Sequence, residues 1–105
     1  MPERRRLPNR RASEAIGFEL NGHTFTATIS RFWDGKIGEI FLQNHKPGSQ
    51  SDSNARDAAV ATSLALQHGC PLATLQRALL RDSHGRPSTP LGAAVDIVME
   101  ISNGR

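Results

Sequence analysis

Two dipeptides constrain this chain more than anything else in it: Asn21-Gly22 and Asp34-Gly35, each set between runs that alternate apolar and polar residues. An Asn-Gly pair accepts positive φ at both positions with little strain, which a two-residue type I′ hairpin loop requires. With Asn21-Gly22 as the loop, Leu20 stands opposite His23, Phe18 opposite Phe25 and Ile16 opposite Ala27. These pairs collect the apolar side chains on one face and leave Thr24, Thr26, Thr28 and Ser30 on the other. Asp34-Gly35, treated as a loop of the same type, pairs Ile29 with Ile40 and Ala27 with Leu42, on the face already occupied by Phe18 and Phe25. Two independent turns that agree on one face predict a three-stranded antiparallel meander.

The same register gives the third strand a second apolar side. Ile40 and Leu42 point inward, while Ile37 and Phe41 point outward, with Phe32 opposite Ile37 and Trp33 at the turn beside them. Phe32, Trp33, Ile37 and Phe41 are therefore a candidate interaction surface, since contiguous exposed apolar patches mark contacts with partners. The competing reading is that the N-terminal arm or the last helix folds over them.

Beyond the polar loop Asn44–Ser51, the spacing predicts a helix over 52–68, capped by Ser53 or Asn54, with Asp57 in the first turn and Gly69 as its left-handed stop. Val60, Leu64 and the alanines around them form its apolar stripe, with Leu66 alongside. Pro71 opens a second helix over 71–80, with Leu72, Leu75, Leu79 and Leu80 as its apolar set. Thr89 caps a third, with Pro90 at its first position and Leu91, Ala94, Val95, Val98 and Ile101 at helical spacing. The order βββααα predicts an α+β domain, a three-stranded antiparallel meander with three helices packed on one face.

Charge is unevenly distributed. The formal net charge is +3, and Arg4, Arg5, Arg6, Arg10 and Arg11 all fall in the first eleven residues against Glu3 alone. The rest of the chain is close to neutral, so the basic character belongs to an arm. Residues 1–13 are expected to form this arm, extended and flexible, and residues 14–105 a single domain. The lone cysteine, Cys70, excludes an internal disulfide and a Cys-rich zinc site, and suits a cytoplasmic protein. The longest largely apolar window, Ala58–Leu66, is too short to span a bilayer, and no apolar signal segment follows the basic N-terminus.

Chemical motifs are few. The loop His45–Ser51 precedes a helix N-terminus, where anions bind, but lacks P-loop spacing, and Asp52 would repel a phosphate there. His68, Cys70 and His84 do not make the paired motif of structural zinc, and Cys70 lacks the base and orienting group a nucleophile needs. No catalytic residue and no metal ligand is assigned, and no cofactor is expected in this chain. The arginine arm supports a second reading, a nucleic-acid-binding protein that neutralises phosphates without reading sequence.

Several segments together resemble a known family. DGKIGEIFL (34–42), the GSQ of the following loop, AVATSLALQHGCPL (59–72) and RALLRDSHGRPSTPLGAAVD (77–96) are similar to the TSCPD domain. That domain lies at the C-terminal end of adenosylcobalamin-dependent, class II ribonucleotide reductases and also occurs in short stand-alone proteins. The resemblance covers roughly residues 16–98, and RLPNRRASE looks like the lead-in of stand-alone members. It implies a link to ribonucleoside-diphosphate reduction and deoxyribonucleotide supply. It does not transfer the reaction: the radical and reducing cysteines and the cobalamin site of the full-length enzymes have no counterpart here, and the Thr-Ser-Cys-Pro-Asp motif is absent. The expectation is an accessory, regulatory or docking module that binds a reductase large chain or a second copy of itself.

Overall fold

The computed structural model describes residues 3–9 and 11–103. Three strands, β1 (Ser13–Leu20), β2 (His23–Arg31) and β3 (Ile37–Asn44), are followed by α1 (Gln50–Gln67), α2 (Leu72–Ala78) and α3 (Pro90–Asn103). The sheet is antiparallel in the order β1-β2-β3, so the fold is α+β with a meander as expected.

Asn21 (φ 52°) and Gly22 (φ 82°) form the type I′ loop, and the β1–β2 pairs are those the turn dictates, Phe18 with Phe25 and Ile16 with Ala27. The second turn is different. Among the described residues Asn21 alone has positive φ without being glycine, so Asp34 stays in the ordinary region and only Gly35 (φ 89°) is left-handed. Gly35 N–H donates to the Phe32 carbonyl (2.9 Å) and Phe32 N–H to that of Lys36 (2.8 Å), which makes a three-residue loop, Trp33-Asp34-Gly35, of the type I plus bulge kind. That loop shifts the pairing by one residue, and the ladder steps from Arg31–Ile37 to Ser30–Glu39, leaving Gly38 as a bulge. The bulge restores the expected pairs Ile29–Ile40 and Ala27–Leu42, but turns Ile37 over to the inner face.

The core lies between the sheet and the helices, with Phe25, Ile29, Ile40, Leu42, Val95 and Val98 fully buried. Thr89 Oγ1 accepts from Gly92 N–H (3.0 Å) and Pro90 occupies the first helical position, as the sequence predicts for α3. Helix α2 is shorter than predicted, with Pro71 at its N-cap, and buries none of its residues fully; Leu72, Leu75 and Leu79 pack from outside against the core.

Helix α1 departs furthest from expectation. It starts at Gln50, capped by Ser49, whose Oγ accepts from Asp52 N–H (3.0 Å). It ends in a Schellman turn: Gly69 (φ 95°) donates to Leu66 and Cys70 to Ala65. Its buried stripe is Asp52, Ala55, Ala59, Thr62, Ser63, Leu66 and Gln67, whereas Val60 (50%) and Leu64 (40%) remain exposed. The reason lies in the neighbour. Helix α1 runs along β3, the edge of the sheet, and its polar side chains satisfy backbone groups that the edge leaves unpaired. Ser63 Oγ accepts from Ile40 N–H and donates to Ile40 C=O, both at 2.9 Å. Gln67 Nε2 donates to Gly38 C=O (2.9 Å), and Asp52 Oδ1 accepts from Asn44 N–H (3.0 Å).

Candidate interaction surface

The outer side of the β2–β3 hairpin does not carry one continuous patch of Phe32, Trp33, Ile37 and Phe41. Ile37 (9% exposed) belongs to the core because the Gly38 bulge rotates it inward. Phe32 (6%) lies against Gly38, where an added Cβ would come within 2.7 Å of its ring. Its other face is covered by the arm: the Arg5 guanidinium carbon sits 3.8 Å from the ring centroid. Trp33 (92%) and Phe41 (40%) stay accessible.

The described part of the arm is bound to the domain at Arg4, Arg5 and Arg11. Arg5 N–H donates to the Gln67 carbonyl and Arg4 Nε to Gln67 Oε1, each at 2.6 Å. Arg5 also pairs with Asp34 (3.0 Å), and that hydrogen bond, helped by Lys36 N–H, holds the Asp34 carboxyl below the usual range. Arg11 grips both oxygens of Glu39 (3.0 and 3.2 Å) and donates to Pro8 C=O. Of the described arm arginines only Arg6 has no such partner, and Arg10 lies outside the described residues. Cationic groups engaged inside the fold are poorly placed to neutralise phosphates, so the nucleic-acid reading loses its main support.

A side chain pairing extends the exposed surface onto α1. Arg56, held by Asp52 (3.0 Å), lies 5.9 Å from the Phe41 ring. Val60 and Leu64 follow Arg56 at intervals of four, on one ridge of the helix. Phe41, Val60 and Leu64 thus border the same edge of the molecule. The sequence reading assigned Val60 and Leu64 to the core, because helical spacing shows that two apolar residues share a face but not which way the face turns.

The remaining candidates stand apart from this surface. Asp52 fills the α1 N-terminus itself, accepting from Asn44 N–H, Arg56 and Gly48 N–H, and these bonds, the first above all, keep its carboxyl below the ordinary value. His45 Nε2 is paired with Thr26 Oγ1 (2.8 Å). His68 Nδ1 turns back to the Leu64 carbonyl (2.9 Å), and Cys70 Sγ lies 3.7 Å from Pro71 O. His84 sits on the Arg81–Pro87 loop, which Arg81 ties to α3 by two bonds to Asp96 (2.9 and 2.6 Å). Those bonds draw the Asp96 carboxyl down and raise the Arg81 guanidinium. Among the described residues no cluster of three metal-ligating side chains occurs, and no helix is long and apolar enough to cross a membrane.

A cleft of about 790 Å³ opens where the arm meets the second turn and the ends of α1 and α3, with Arg5, Arg31, Lys36, Cys70 and Met99 in its walls. Arg5 is taken by Asp34, and Arg31 Nη1 donates to Gly35 C=O (3.0 Å), while Arg31 Nη2 is buried without a hydrogen-bond partner, 4.0 Å from Glu14.

Comparison with known proteins gives one consistent result. The chain is similar to a vitamin B12-dependent ribonucleotide reductase of Agrobacterium fabrum, 41% identical over 70 residues, 67% of this chain and 6% of that protein. The corresponding reductase of Bradyrhizobium diazoefficiens is 38% identical over 72 residues, 69% of this chain and 6% of that protein. One from Streptantibioticus cattleyicolor is 34% identical over 73 residues, 70% of this chain and 12% of that protein. The chain therefore corresponds to a small segment of these relatives, and is a ribonucleotide-reductase-related domain. No family model matches it, and no solved structure matches it.

Proposed function

We propose that this chain is a TSCPD-type accessory module of ribonucleotide reduction, acting by docking on a reductase large chain rather than as a complete catalyst. The observation that supports it is the similarity over two thirds of this chain to 6–12% of proteins named vitamin B12-dependent ribonucleotide reductase. A segment of that size is a domain's worth of structure, and it leaves the chemistry to the remainder of those proteins. Vitamin B12, named in the relatives, is assigned in this reading to that remainder as well, since this chain matches only 6–12% of their length. The compartment in this reading is the cytoplasm, consistent with the single thiol. The docking surface is Trp33 with Phe41 and the Val60–Leu64 ridge, whose exposed apolar area suits a protein partner.

The test is a pull-down of the tagged chain from native lysate, with and without nuclease, read by mass spectrometry. The proposal expects a reductase large chain in both samples, lost with Phe41→Asp while cooperative unfolding is retained. Recovery of nucleic-acid-bound proteins that disappear with nuclease, and no reductase, would return the function to the arginine arm.

A further inference from the structure

The two edges of the sheet are treated in opposite ways. On β3 the outward groups of Gly38, Ile40 and Asn44 are met by Gln67, Ser63 and Asp52 of α1. On β1, among the described residues, no element covers the edge, and Ala15, Gly17 and Glu19 are exposed. The type I′ loop makes Leu20–His23 the closing hydrogen-bonded pair, so by antiparallel alternation Phe18, Ile16 and Glu14 bond toward β2. The N–H and C=O groups of Ala15, Gly17 and Glu19 consequently point outward, and among the described residues none of them has a partner. Edges of monomeric proteins carry proline, charged side chains, a bulge or a short strand to prevent pairing. Strand β1 has eight residues, an unbroken register, and neither proline, lysine nor arginine; its two charges stand near its ends, Glu14 close to Arg31 (4.0 Å) and Glu19 beside the turn.

We infer that β1 pairs antiparallel with β1 of a second copy, joining two three-stranded sheets into one six-stranded sheet across a two-fold axis at Gly17. The side chains select this occupant and this register. With Gly17 opposite Gly17, the outward-bonding residues meet each other: Ala15 faces Glu19, and Glu14 falls beside Leu20, so no like charges oppose. A one-residue slip in either direction mismatches bonding and non-bonding positions, and in one direction it also sets Glu14 against Glu19. On the outer face the residues nearest the axis, Gly17 and Ala15, are small, and a Cβ on Gly17 would find nothing nearer than the Phe25 carbonyl at 4.0 Å. On the inner face Ile16 meets Phe18 of the other copy. Ile16, Phe18 and Leu20 are only half-buried, whereas Ile40 and Leu42 at the covered edge are fully buried, so pairing completes an unfinished flank of the core. The two-fold repeats one strand against itself, the isologous arrangement of most homodimers. This inference stands independently of the reductase partnership, since it uses neither Phe41 nor the α1 ridge.

Sedimentation of the full chain over a concentration series, with residue-resolved amide exchange, tests it. The expected result is the mass of two chains at high concentration, with the Ala15, Gly17 and Glu19 amides slowed at least about tenfold on dimerisation while neighbouring β1 amides change little. Gly17→Lys, which sets two ammonium groups together at the axis, abolishes the dimer. Ala15→Lys tightens it and Ala15→Glu loosens it, because residue 15 faces Glu19 of the other copy; opposite responses at an exposed position do not arise from misfolding. A monomer at all concentrations, a dimer in which these three amides still exchange fast, or equal responses to both Ala15 substitutions overturns the inference.

Discussion

Helix α3 buries Leu91, Ala94, Val95 and Val98, whereas its neighbour α1 buries Asp52, Thr62, Ser63 and Gln67 beside Ala55, Ala59 and Leu66. Both helices contribute to one core, so the difference is not one of depth. It follows from what each helix meets. The α3 stripe joins the side chains projecting from the sheet face, where apolar area removed from water sets the stability. Helix α1 lies along a sheet edge, where unpaired N–H and C=O groups must find partners or carry a desolvation cost. A helix that meets an edge is selected for donors and acceptors at helical spacing, and its apolar residues are then free to face outward.

This contrast can be broken by substitution, and the largest effect belongs to α3. Leu91→Ala should destabilise by about 3 kcal/mol in urea unfolding, as large-to-small changes in a packed core do. A loss within the range of surface changes would show that α3 is not the apolar half of the comparison. Ser63→Ala comes next, at about 2 kcal/mol, because it strips the shared partner from both the N–H and the C=O of Ile40 while removing almost no apolar area. A neutral outcome there would mean that water replaces the hydroxyl and that α1 is held by Ala55, Ala59 and Leu66 alone. Val60→Ser and Leu64→Ser should change stability by no more than about 0.5 kcal/mol. Were they core residues, each would cost several times that, and thermal unfolding of the two variants separates the cases.

Acid sharpens the comparison further, since α1 and the arm depend on carboxylates and the α3 stripe does not. Asp34 and Asp52 both have depressed folded-state pKa values, so the native state binds fewer protons than the unfolded chain in acid. Their contribution is complete above the unfolded value of about 3.9 and is lost as the pH falls through the lower folded values. The unfolding midpoint should therefore hold from about pH 7 to 5 and decline below about pH 4, with a smaller decline in Asp52→Asn. The smallest expected effect is that of Arg11→Ala, below about 1 kcal/mol, because its pair with Glu39 is partly exposed and screened.

Much of the fold was legible because local chemistry specified it. Asn21-Gly22 requires its loop, the loop requires the β1–β2 register, and Thr89-Pro90 announces the start of α3. The candidate surface was legible in part. Trp33 and Phe41 are exposed as expected, but Phe32 and Ile37 are not, because one extra loop residue is cancelled by one bulge four positions later. The two irregularities compensate in the register of Ile29 and Ile40, so alternation beyond them gave no sign of either. The docking of Arg4, Arg5 and Arg11 was illegible for another reason: an arginine run reads alike whether its partners are phosphates or the carboxylates and carbonyls of its own fold.

The order of strands and helices, the Asn21-Gly22 turn and the inner sheet face apart from Ile37 were determined by the sequence alone, since each depends on residues within a few positions of one another. Which side of α1 is buried, and where the arm lies, were decided by tertiary structure. Both depend on backbone groups of β3 and on Gln67, tens of residues away, whose unpaired donors and acceptors exist only once the sheet has formed its edge.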